Sequence, residues 1–419
     1  MKSHKAVIIT IGDELLIGQT IDTNSAWMAK ELNLLGIDIT ERIAVGDVKL
    51  DIIRALDNSL EIADIVLITG GLGPTADDIT KPLLCEYFKG KLMVNKAALE
   101  NVKTIFQKRN LPLLERNLKQ AEVPDVCTVL QNKKGTAPGM WFEKDGKIVI
   151  SMPGVPHEMI GMMEDEVLPR LRKSASDGYY ILHRNILTAG IGESFLAEKI
   201  VNIEASLPQH IKLAYLPANW MVKLRLTAKG NDKKTLTEEI NYYRHQLISA
   251  IKEYVIASKD EPLEKILYSN FSTRKLTLAI AESCTGGYIG HTLTQVEGSS
   301  EFFVGSIVSY DISVKKDILG IAANDIVAYG EVSEAVAVQM AENVRRLLKA
   351  DIGFGITGWL SNSAKQNDNE TGTVWMAVCD KQQTKTQKYY FPYDRLRNKE
   401  MALQMALLMI WKFINGKEI

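Results

Sequence analysis

Short apolar strands that alternate with helical segments constrain this chain more than any other feature. Residues 6–11 (AVIITI) and 65–69 (IVLIT) carry no polar side chain except threonine, and each stretch is followed by glycine. Strands that lack polar alternation are covered on both faces, as in a parallel sheet packed between helices. The pattern therefore predicts an α/β domain with a parallel sheet over residues 1–171. The first two helices are predicted at 25–35 and 50–62, and the strand between them at 37–45.

The pattern changes in the middle of the chain and then returns. Two alternating strands in 211–228, broken near Pro217, precede a long amphipathic helix at 236–254. We expect a small α+β linker domain over 172–258 and a further α/β domain over 259–419. A chain of 419 residues is also too long for one ordinary core. The strands of the last domain are predicted at 275–281, 303–310, 352–357 and 372–379, and its helices at 286–295, 333–349 and 398–414.

Composition narrows the classes of partner. Fifty basic residues balance 51 acidic ones without a dense Lys/Arg run, so charge gives no case for direct binding of nucleic acid. The most apolar late stretch, 401–414, contains Gln404 and Lys412, which is typical of a buried helix and not of a membrane span. The four cysteines are far apart and the first residues do not form a signal peptide. We expect a cytoplasmic protein with free thiols and no membrane partner.

A glycine-rich turn follows the strand at 65–69. In Gly70–Thr75 (GGLGPT) the glycines allow a ligand close to the backbone, and ligands of α/β sheets bind at this edge. We expect a helix to open at Ala76-Asp77-Asp78, with N–H groups that attract a phosphate. The letters also fit a loose dinucleotide fingerprint, but Pro74 lies inside it and no acidic residue ends a strand about 20 residues later. A tight turn with two helix-start acids is the alternative.

Other polar segments reinforce the phosphate interpretation. Gly12-Asp13-Glu14 also leaves the end of a strand, and Glu158 closes the segment PGVPHE. Carboxylates beside a phosphate repel it unless a divalent cation lies between them, so the group predicts Mg²⁺ or a similar hard metal. A zinc motif HExxH is excluded, because Gly161 stands where the second histidine is needed.

A second strand–turn–helix junction lies in the last domain. The strand at 276–281 runs into Glu282–Gly287 (ESCTGG), a turn that can present a nucleophile and stabilise an oxyanion with nearby amides. Two alternatives stay open: Ser283 is a helix cap, or Cys284 is the nucleophile. None of the six histidines lies in a recognisable triad context, so the residues alone name no base.

Long motifs in a fixed order resemble the CinA family over nearly the whole chain. They are IGDELLIGQTIDTNSAW, TGGLGPTADDIT, NLKQA, GTAPG, PGVPHEM, GIGESFLAEKI, LAYLP…VKLRL and AESCTGG. The resemblance implies a molybdopterin-binding-like domain that hydrolyses ADP-ribose to AMP and ribose 5-phosphate with a metal. Related molybdopterin-binding proteins bind without this hydrolysis, so binding alone is the rival interpretation. The family positions are Asp13, Glu14, Asp77, Asp78 and Glu158 for metal, and Gly71, Gly73, Thr75 and Asn117 for substrate or phosphate.

The resemblance also implies a nicotinamide-nucleotide amidase in the last domain, and a homodimer. Ser283 matches the family nucleophile, with Lys315 and Tyr310 as its catalytic partners. Lys315 can accept a proton at neutral pH only if its pKa falls well below about 10.4. The substrate would be nicotinamide mononucleotide, which loses ammonia. The substrate-binding positions implied for this domain are Gly286, Gly287, Thr357 and Arg395.

Departures from the family pattern lie in the wall of this second site. A glycine- and proline-rich family loop is replaced by residues 359–370, which are polar and lack glycine. Asp311-Ile312 stands where the family continues Ser-Asn, and Lys399 occupies a basic position near Arg395. Three hypotheses follow: a bifunctional hydrolase, a hydrolase whose last domain only binds nucleotide, and a non-catalytic interaction protein linked to DNA uptake or repair.

Overall fold

The computed structural model describes residues 4–75, 77–174, 178–218, 220–259, 261–361 and 371–419. The chain divides into two compact units. The units are Met1–His183 with Ile203–Leu213 and Leu226–Gln246, and Arg184–Asn202 with Ala214–Arg225 and Leu247–Ile419. The domain boundaries predicted near residues 171 and 258 are not drawn by this division and stay predictions.

The first part of the chain contains a six-stranded sheet and a two-stranded one. Its strands are β1 (Lys5–Ile11), β2 (Asp38–Val45), β3 (Ile65–Thr69), β4 (Leu92–Val94), β5 (Glu122–Pro124), β6 (Thr128–Leu130), β7 (Gly139–Lys144) and β8 (Lys147–Met152). The large sheet has the order β2-β1-β3-β8-β7-β6, and β4 pairs with β5. The pairs β1–β2, β1–β3 and β3–β8 are parallel, whereas β7 is antiparallel to both β8 and β6. The predicted parallel sheet is confirmed, with an antiparallel edge.

Helices cover both faces of the large sheet. They are α1 (Asp13–Leu16), α2 (Thr23–Leu34), α3 (Lys49–Ile62), α4 (Thr80–Tyr87), α5 (Lys96–Lys108), α6 (Glu115–Leu118), α7 (Pro156–Met162) and α8 (Leu168–Ser174), with a π turn at Met163–Val167. Neighbouring residues of β1 enter different cores: Ile8 packs with Met28 of α2, and Ile9 packs with Ile52 of α3. Both residues are fully buried, which is why this strand shows no polar alternation.

The middle of the chain forms a four-stranded sheet and two helices, which adds two strands and one helix to the two strands and one helix predicted from the pattern. The elements are β9 (Tyr180–Ala189), α9 (Glu193–Ala205), β10 (Ile211–Ala218), β11 (Met221–Gly230), α10 (Lys233–Ala250) and β12 (Val255–Ala257). The strand order is β10-β11-β9-β12. The predicted break near Pro217 is confirmed, since β10 ends at Ala218 and β11 begins at Met221. The helix predicted to reach residue 254 ends at Ala250.

The last part of the chain is a second α/β layer. Its elements are α11 (Leu263–Arg274), β13 (Leu278–Glu282), α12 (Tyr288–Thr294), β14 (Phe303–Val308), α13 (Ile312–Asp317), α14 (Ala323–Tyr329), α15 (Glu334–Leu347), β15 (Ile352–Gly358), β16 (Thr373–Cys379), β17 (Thr384–Tyr390) and α16 (Arg395–Ile414). The sheet order is β14-β13-β15-β16-β17. β13 runs parallel to β14 and β15, and β16 and β17 are antiparallel. The α/β class predicted for this region is confirmed.

Two glycines set how closely α15 packs on β15. A Cβ added to Gly353 would lie 2.2 Å from the carbonyl oxygen of Ala341, and one added to Gly355 would lie 2.6 Å from that of Ala337. Since no such contact is tolerated, only glycine permits this approach. On the other face of the sheet, α16 buries Met401 and Ile410 in the main core, as expected for a core helix. No helix in the described residues is long and apolar enough to span a bilayer.

Candidate functional site

A cavity of about 510 Å³ lies where β1 and β3 end. Six of the predicted site residues line it: Glu14, Gly71, Gly73, Asp77, Asp78 and Glu158. Gly70, at its floor, has φ 116°, and a Cβ there would meet the carbonyl oxygen of Ile11 at 2.2 Å. The strand end therefore requires glycine, which brings the backbone to the cavity surface. Asp13, Thr75 and Asn117 are not among the lining residues.

The loop between β3 and α4 differs from the expected helix start. The carboxylate of Asp78 accepts hydrogen bonds from the N–H of Thr75 at 2.9 Å and from its hydroxyl. The N–H of Thr80 donates to the carbonyl oxygen of Gly71 at 3.2 Å. Because these contacts hold the loop in turns, the helix start predicted at Asp77-Asp78 is wrong, and α4 begins only at Thr80. Ala76, the first residue of that predicted start, lies outside the described residues.

The predicted residues outside the lining have local partners. Asp13 and Asp47 bond reciprocally: each carboxylate accepts from the other residue's N–H, at 3.2 and 3.1 Å. Asn117 is buried, and its Oδ1 accepts from the N–H of Leu114 at 3.1 Å at the start of α6. Thr75 is bound to Asp78 as described. These three residues therefore shape the surroundings of the cavity.

Sequence reasoning missed Asp47, which lines the same cavity. Partial burial raises the pKa of Asp47, and the nearby charges of Asp13, Glu14 and Asp77 add to the rise, against a lowering by the Asp13 N–H. Asp47 lies two residues beyond β2, at the same edge of the sheet as the glycine turns. The rule that sites gather at the carboxyl ends of parallel strands would have found it.

Lys81 was also missed, and no pattern around it signals its role. Its side chain is buried in α4, where Nζ donates to the carbonyl oxygen of Gln120 at 3.0 Å. Gln120 lines the cavity. Burial lowers the pKa of Lys81 to about 8, although the charges of Glu122 and Asp78 act in the opposite direction. Lys81 thus ties the segment after α6 to α4.

The donor set of the cavity suits a hard cation shared with a phosphate. Five carboxylates line it: those of Glu14, Asp47, Asp77, Asp78 and Glu158. Within the described part of the chain, no three His, Cys, Asp or Glu side chains gather as a ready metal site. Mg²⁺ needs no such cage, because it commonly takes one or two carboxylates together with water and substrate phosphates. The residues therefore fit a cation that binds jointly with a phosphorylated ligand.

The second site centres on a serine and a lysine that lie 32 positions apart in the chain. Ser283 follows β13 directly, and Lys315 lies on α13, whose start is capped by Asp311. Lys315 Nζ is 3.1 Å from Ser283 Oγ and donates to the carbonyl oxygens of Ser309 and Tyr310 at 3.0 and 3.5 Å. Lys315 is 1% exposed and Ser283 7%. The arrangement is a buried hydroxyl with an amine in hydrogen-bonding reach.

Burial sets the ionisation of the groups around this pair. It lowers the pKa of Lys315, an effect that the carboxylates of Glu331 and Asp311 partly oppose. Burial raises the pKa of Cys284 to about 12, so this residue is a neutral thiol at physiological pH. Because the thiolate is the nucleophilic form of cysteine, the geometry favours Ser283 over Cys284.

Glu282, and not Ser283, accepts hydrogen bonds from the free N–H groups at the start of α12. Its fully buried carboxylate accepts from the N–H groups of Ile289 and Gly290 at 3.1 and 2.9 Å and from the hydroxyls of Thr285 and Ser306 at 2.8 and 3.0 Å. The N-cap of α12 is Gly287, without a side-chain cap. The alternative in which Ser283 caps the helix is therefore wrong. Gly286 and Gly287 have φ of 60° and 90°, which the turn after Ser283 requires.

The other predicted residues of this site differ in burial: Tyr310 is exposed and bound by Arg395, whereas Thr357 is buried. Arg395 donates to the Tyr310 hydroxyl at 2.9 Å and to Ser361 Oγ at 3.0 Å, and Tyr310 is exposed. Thr357 is buried, and its hydroxyl donates to the carbonyl oxygen of Glu331 at 2.9 Å. The altered segment 359–370 lies outside the described residues from position 362 onwards.

Three family models match the chain in succession. They describe a probable molybdopterin binding domain over 7–173, the damage-inducible protein CinA KH domain over 183–257 and the CinA C-terminal domain over 260–414. A CinA-like protein of Flavobacterium psychrophilum is 44% identical over 414 residues, with 98% of each chain covered. A CinA-like protein of Cytophaga hutchinsonii is 40% identical over 411 residues, again with 98% of each covered.

A crystal structure titled "the protein CinA with unknown function", from Thermoplasma acidophilum, is 33% identical. It covers 41% of this chain and 98% of its own, with a TM-score of 0.37. The matched models define a multidomain protein that joins a molybdopterin-binding-like sheet domain to a KH-like and a CinA C-terminal domain. The full-length identity is decisive: the chain belongs to the CinA family.

Proposed function

We propose that the chain is a bifunctional nucleotide hydrolase with one activity at each site. The site around Ser283 removes the amide of nicotinamide mononucleotide as ammonia, and the 510 Å³ cavity hydrolyses ADP-ribose to AMP and ribose 5-phosphate. The resemblance to the family extends the proposal to a cytoplasmic homodimer without a direct nucleic-acid partner.

The amidase proposal rests on the 3.1 Å separation of Lys315 Nζ and Ser283 Oγ. A serine hydroxyl is a weak nucleophile at neutral pH unless a base takes its proton. Burial lowers the pKa of Lys315 and so increases the neutral fraction that can serve as that base. No histidine is needed in this arrangement.

The reaction follows from these two groups. Ser283 Oγ bonds to the carboxamide carbon while its proton passes to Lys315 Nζ, and the carbonyl oxygen becomes an oxyanion. When the tetrahedral intermediate collapses, the carbon–nitrogen bond breaks and Lys315 returns the proton to the leaving ammonia. Water, deprotonated by the same lysine, then cleaves the acyl ester, which yields nicotinate mononucleotide and restores Ser283.

The pyrophosphatase proposal is supported by what the cavity contains. Its volume of about 510 Å³ lies within the range of small-molecule sites, roughly 300–1,000 Å³. A divalent cation, when bound, would neutralise charge on the phosphates, and Glu14, Asp47, Asp77, Asp78 and Glu158 would hold it. The glycine backbone at 70–73 approaches the ligand closely, and Gln120 can bond to it. The product of water attack on a phosphorus atom is AMP with ribose 5-phosphate.

Two assays on the full-length chain test the proposal. We expect ammonia release from nicotinamide mononucleotide and AMP formation from ADP-ribose. Ser283→Ala should abolish the first and leave the second unchanged, while a chelator should do the reverse. Binding of nicotinamide mononucleotide without ammonia release would show that the last domain is only a binding module. Absence of AMP formation with any divalent metal would overturn the pyrophosphatase half.

A further inference from the structure

A carboxylate beside the serine–lysine pair has no part in the mechanism above. Glu331 Oε2 lies 4.0 Å from Lys315 Nζ, and the Glu331 side chain is 46% exposed whereas that of Lys315 is 1% exposed. We propose that Glu331 is a positioning residue that holds Lys315 towards Ser283 and stabilises the ammonium formed when the lysine takes the serine proton. The inference rests on the proposed amidase function. It adds Glu331 to Ser283 and Lys315 as the third residue of the site, the one that orients the base.

The main chain holds Glu331 independently of Lys315. Its carbonyl oxygen accepts from the hydroxyl of Thr357 at 2.9 Å. Thr357 is on β15 next to Ile356, whose carbonyl oxygen accepts from the N–H of Ser283 at 3.1 Å. The nucleophile and Glu331 are therefore fixed to neighbouring residues of one strand. Such an arrangement, in which a third group orients the base of a nucleophile, is the general form of a catalytic triad.

Two carboxylates lie near Lys315, and they differ in whether they bind another group. The charged or titratable groups that act on Lys315 are Glu331, Cys284 and Asp311. Cys284 is a neutral thiol, and the Asp311 carboxylate accepts from the N–H and hydroxyl of Ser313 at 2.8 and 2.6 Å to start α13. Within the described ranges, the Glu331 carboxylate makes no hydrogen bond and no ion pair other than the one with Lys315. Its charge is thus directed at the lysine.

The direction in which Glu331 changes the pKa of Lys315 is known. A negative charge at this distance favours the protonated lysine and raises the pKa of Lys315 against the larger effect of burial. Removing the charge lowers that pKa, so neutral lysine becomes available at lower pH. The acid limb of kcat/KM should move down by about 0.7–1 pH unit, at the low end of Coulomb expectation because the carboxylate is half-exposed. The plateau of kcat should fall about tenfold, because the transition state loses its counter-ion.

The test is the pH profile of ammonia release by the full chain and its variants. Glu331→Gln should shift the acid limb down and lower the plateau, and Glu331→Asp should restore both in part. Glu334→Gln is the matched control, because Glu334 opens α15 nearby but bonds to Thr386 and is not among the groups that act on Lys315. Its profile should equal that of the parent chain. An unshifted limb in Glu331→Gln would overturn the inference.

A second readout separates this inference from the proposed function. The ¹³Cε resonance of Lys315, assigned from its loss in Lys315→Met, reports the pKa of the lysine without turnover. Glu331→Gln should move its titration midpoint down by the same 0.7–1 unit, roughly. A shifted midpoint in a chain that releases no ammonia would overturn the amidase and the catalytic role of Glu331 while confirming the charge contact. An unmoved midpoint with normal ammonia release would overturn the role of Glu331 alone.

Discussion

Arg395 donates a hydrogen bond of 2.9 Å to the hydroxyl of Tyr310. The family resemblance implies different tasks for these residues, substrate binding for Arg395 and catalysis for Tyr310, yet their side chains meet. In this contact the tyrosine oxygen accepts, so its proton stays available for a substrate group. Ser361 Oγ accepts from the other arm of the guanidinium at 3.0 Å, so these two bonds use two of its five N–H donors.

The first prediction separates these two residues kinetically. If Arg395 binds the substrate phosphate, Arg395→Ala should raise KM for nicotinamide mononucleotide about tenfold or more with a smaller change in kcat, because such a contact is made in ground and transition state alike. Tyr310→Phe should lower kcat more than it raises KM if its hydroxyl acts on the reacting amide. Steady-state ammonia release measures both. Equal losses in kcat from the two variants would mean that Arg395 acts only through Tyr310.

The second prediction identifies the nucleophile. Ser283→Ala should lower ammonia release by on the order of 10³-fold or more. Its thermal stability should change little, because Gly287 and Glu282, and not Ser283, form the start of α12. Cys284→Ala is the matched control on the neighbouring residue, and it should keep activity within about tenfold, since the thiol is not ionised. The opposite ranking of the two variants would transfer the role to Cys284.

The third prediction concerns the charge of the first cavity. Asp47→Asn keeps an oxygen for the N–H of Asp13 but removes one of several like charges. In the absence of metal, this variant should be more stable than the parent chain, because repulsion from Asp13, Glu14 and Asp77 contributes to the raised pKa of Asp47. Added Mg²⁺ should then stabilise the parent chain more than the variant. Melting curves with and without Mg²⁺ test both points, and equal metal shifts would exclude Asp47 as a ligand.

The fourth prediction is a pH dependence of stability that originates at Lys81. Its folded pKa of about 8 lies below the unfolded value of about 10.4. The unfolded chain therefore binds the proton more strongly, and the parent chain gains stability relative to Lys81→Met as pH rises from about 8 to about 10.4, by at most about 3 kcal/mol. Below about pH 8 the difference between the two chains should be constant. Denaturant titrations across this range measure it, with the exposed Lys119→Met as a control that should show no such trend.

The α/β layers could be predicted because strands buried on both faces have a distinctive composition. The start of α4 could not be predicted, because it depends on which N–H groups donate hydrogen bonds to the Asp78 carboxylate. Side-chain bonds of this kind compete locally with helix formation. The limits of α10 were misjudged for the same kind of reason: propensity near an element's end is weaker than the contacts made there.

The pairing of Ser283 with Lys315 lies beyond what spacing can reveal. The two residues come from different elements, and only the resemblance to the family joined them before the structure was known. Glu331 and Lys81 carried no signal, because a single charged residue in a polar or helical segment is ordinarily solvated. The burial of Lys81 and the contact of Glu331 with Lys315 arise from the tertiary fold. The metal and substrate assignments stay predictions that the assays above decide.

Ile8 and Ile9 are buried on opposite faces of the sheet, and this has a consequence for the deletion of a single codon within β1. In a strand with one polar face, loss of a residue would expose apolar side chains and bury polar ones. In β1 the exchanged residues are aliphatic apart from Lys5 and Thr10, so hydrophobicity would resist the new register only weakly. Yet everything beyond the lesion would be drawn about 3.3 Å along the sheet, and Gly12 and Glu14 would leave the cavity. A screen that scores such alleles by protein abundance alone would therefore miss the loss of the cavity, which a turnover assay would find.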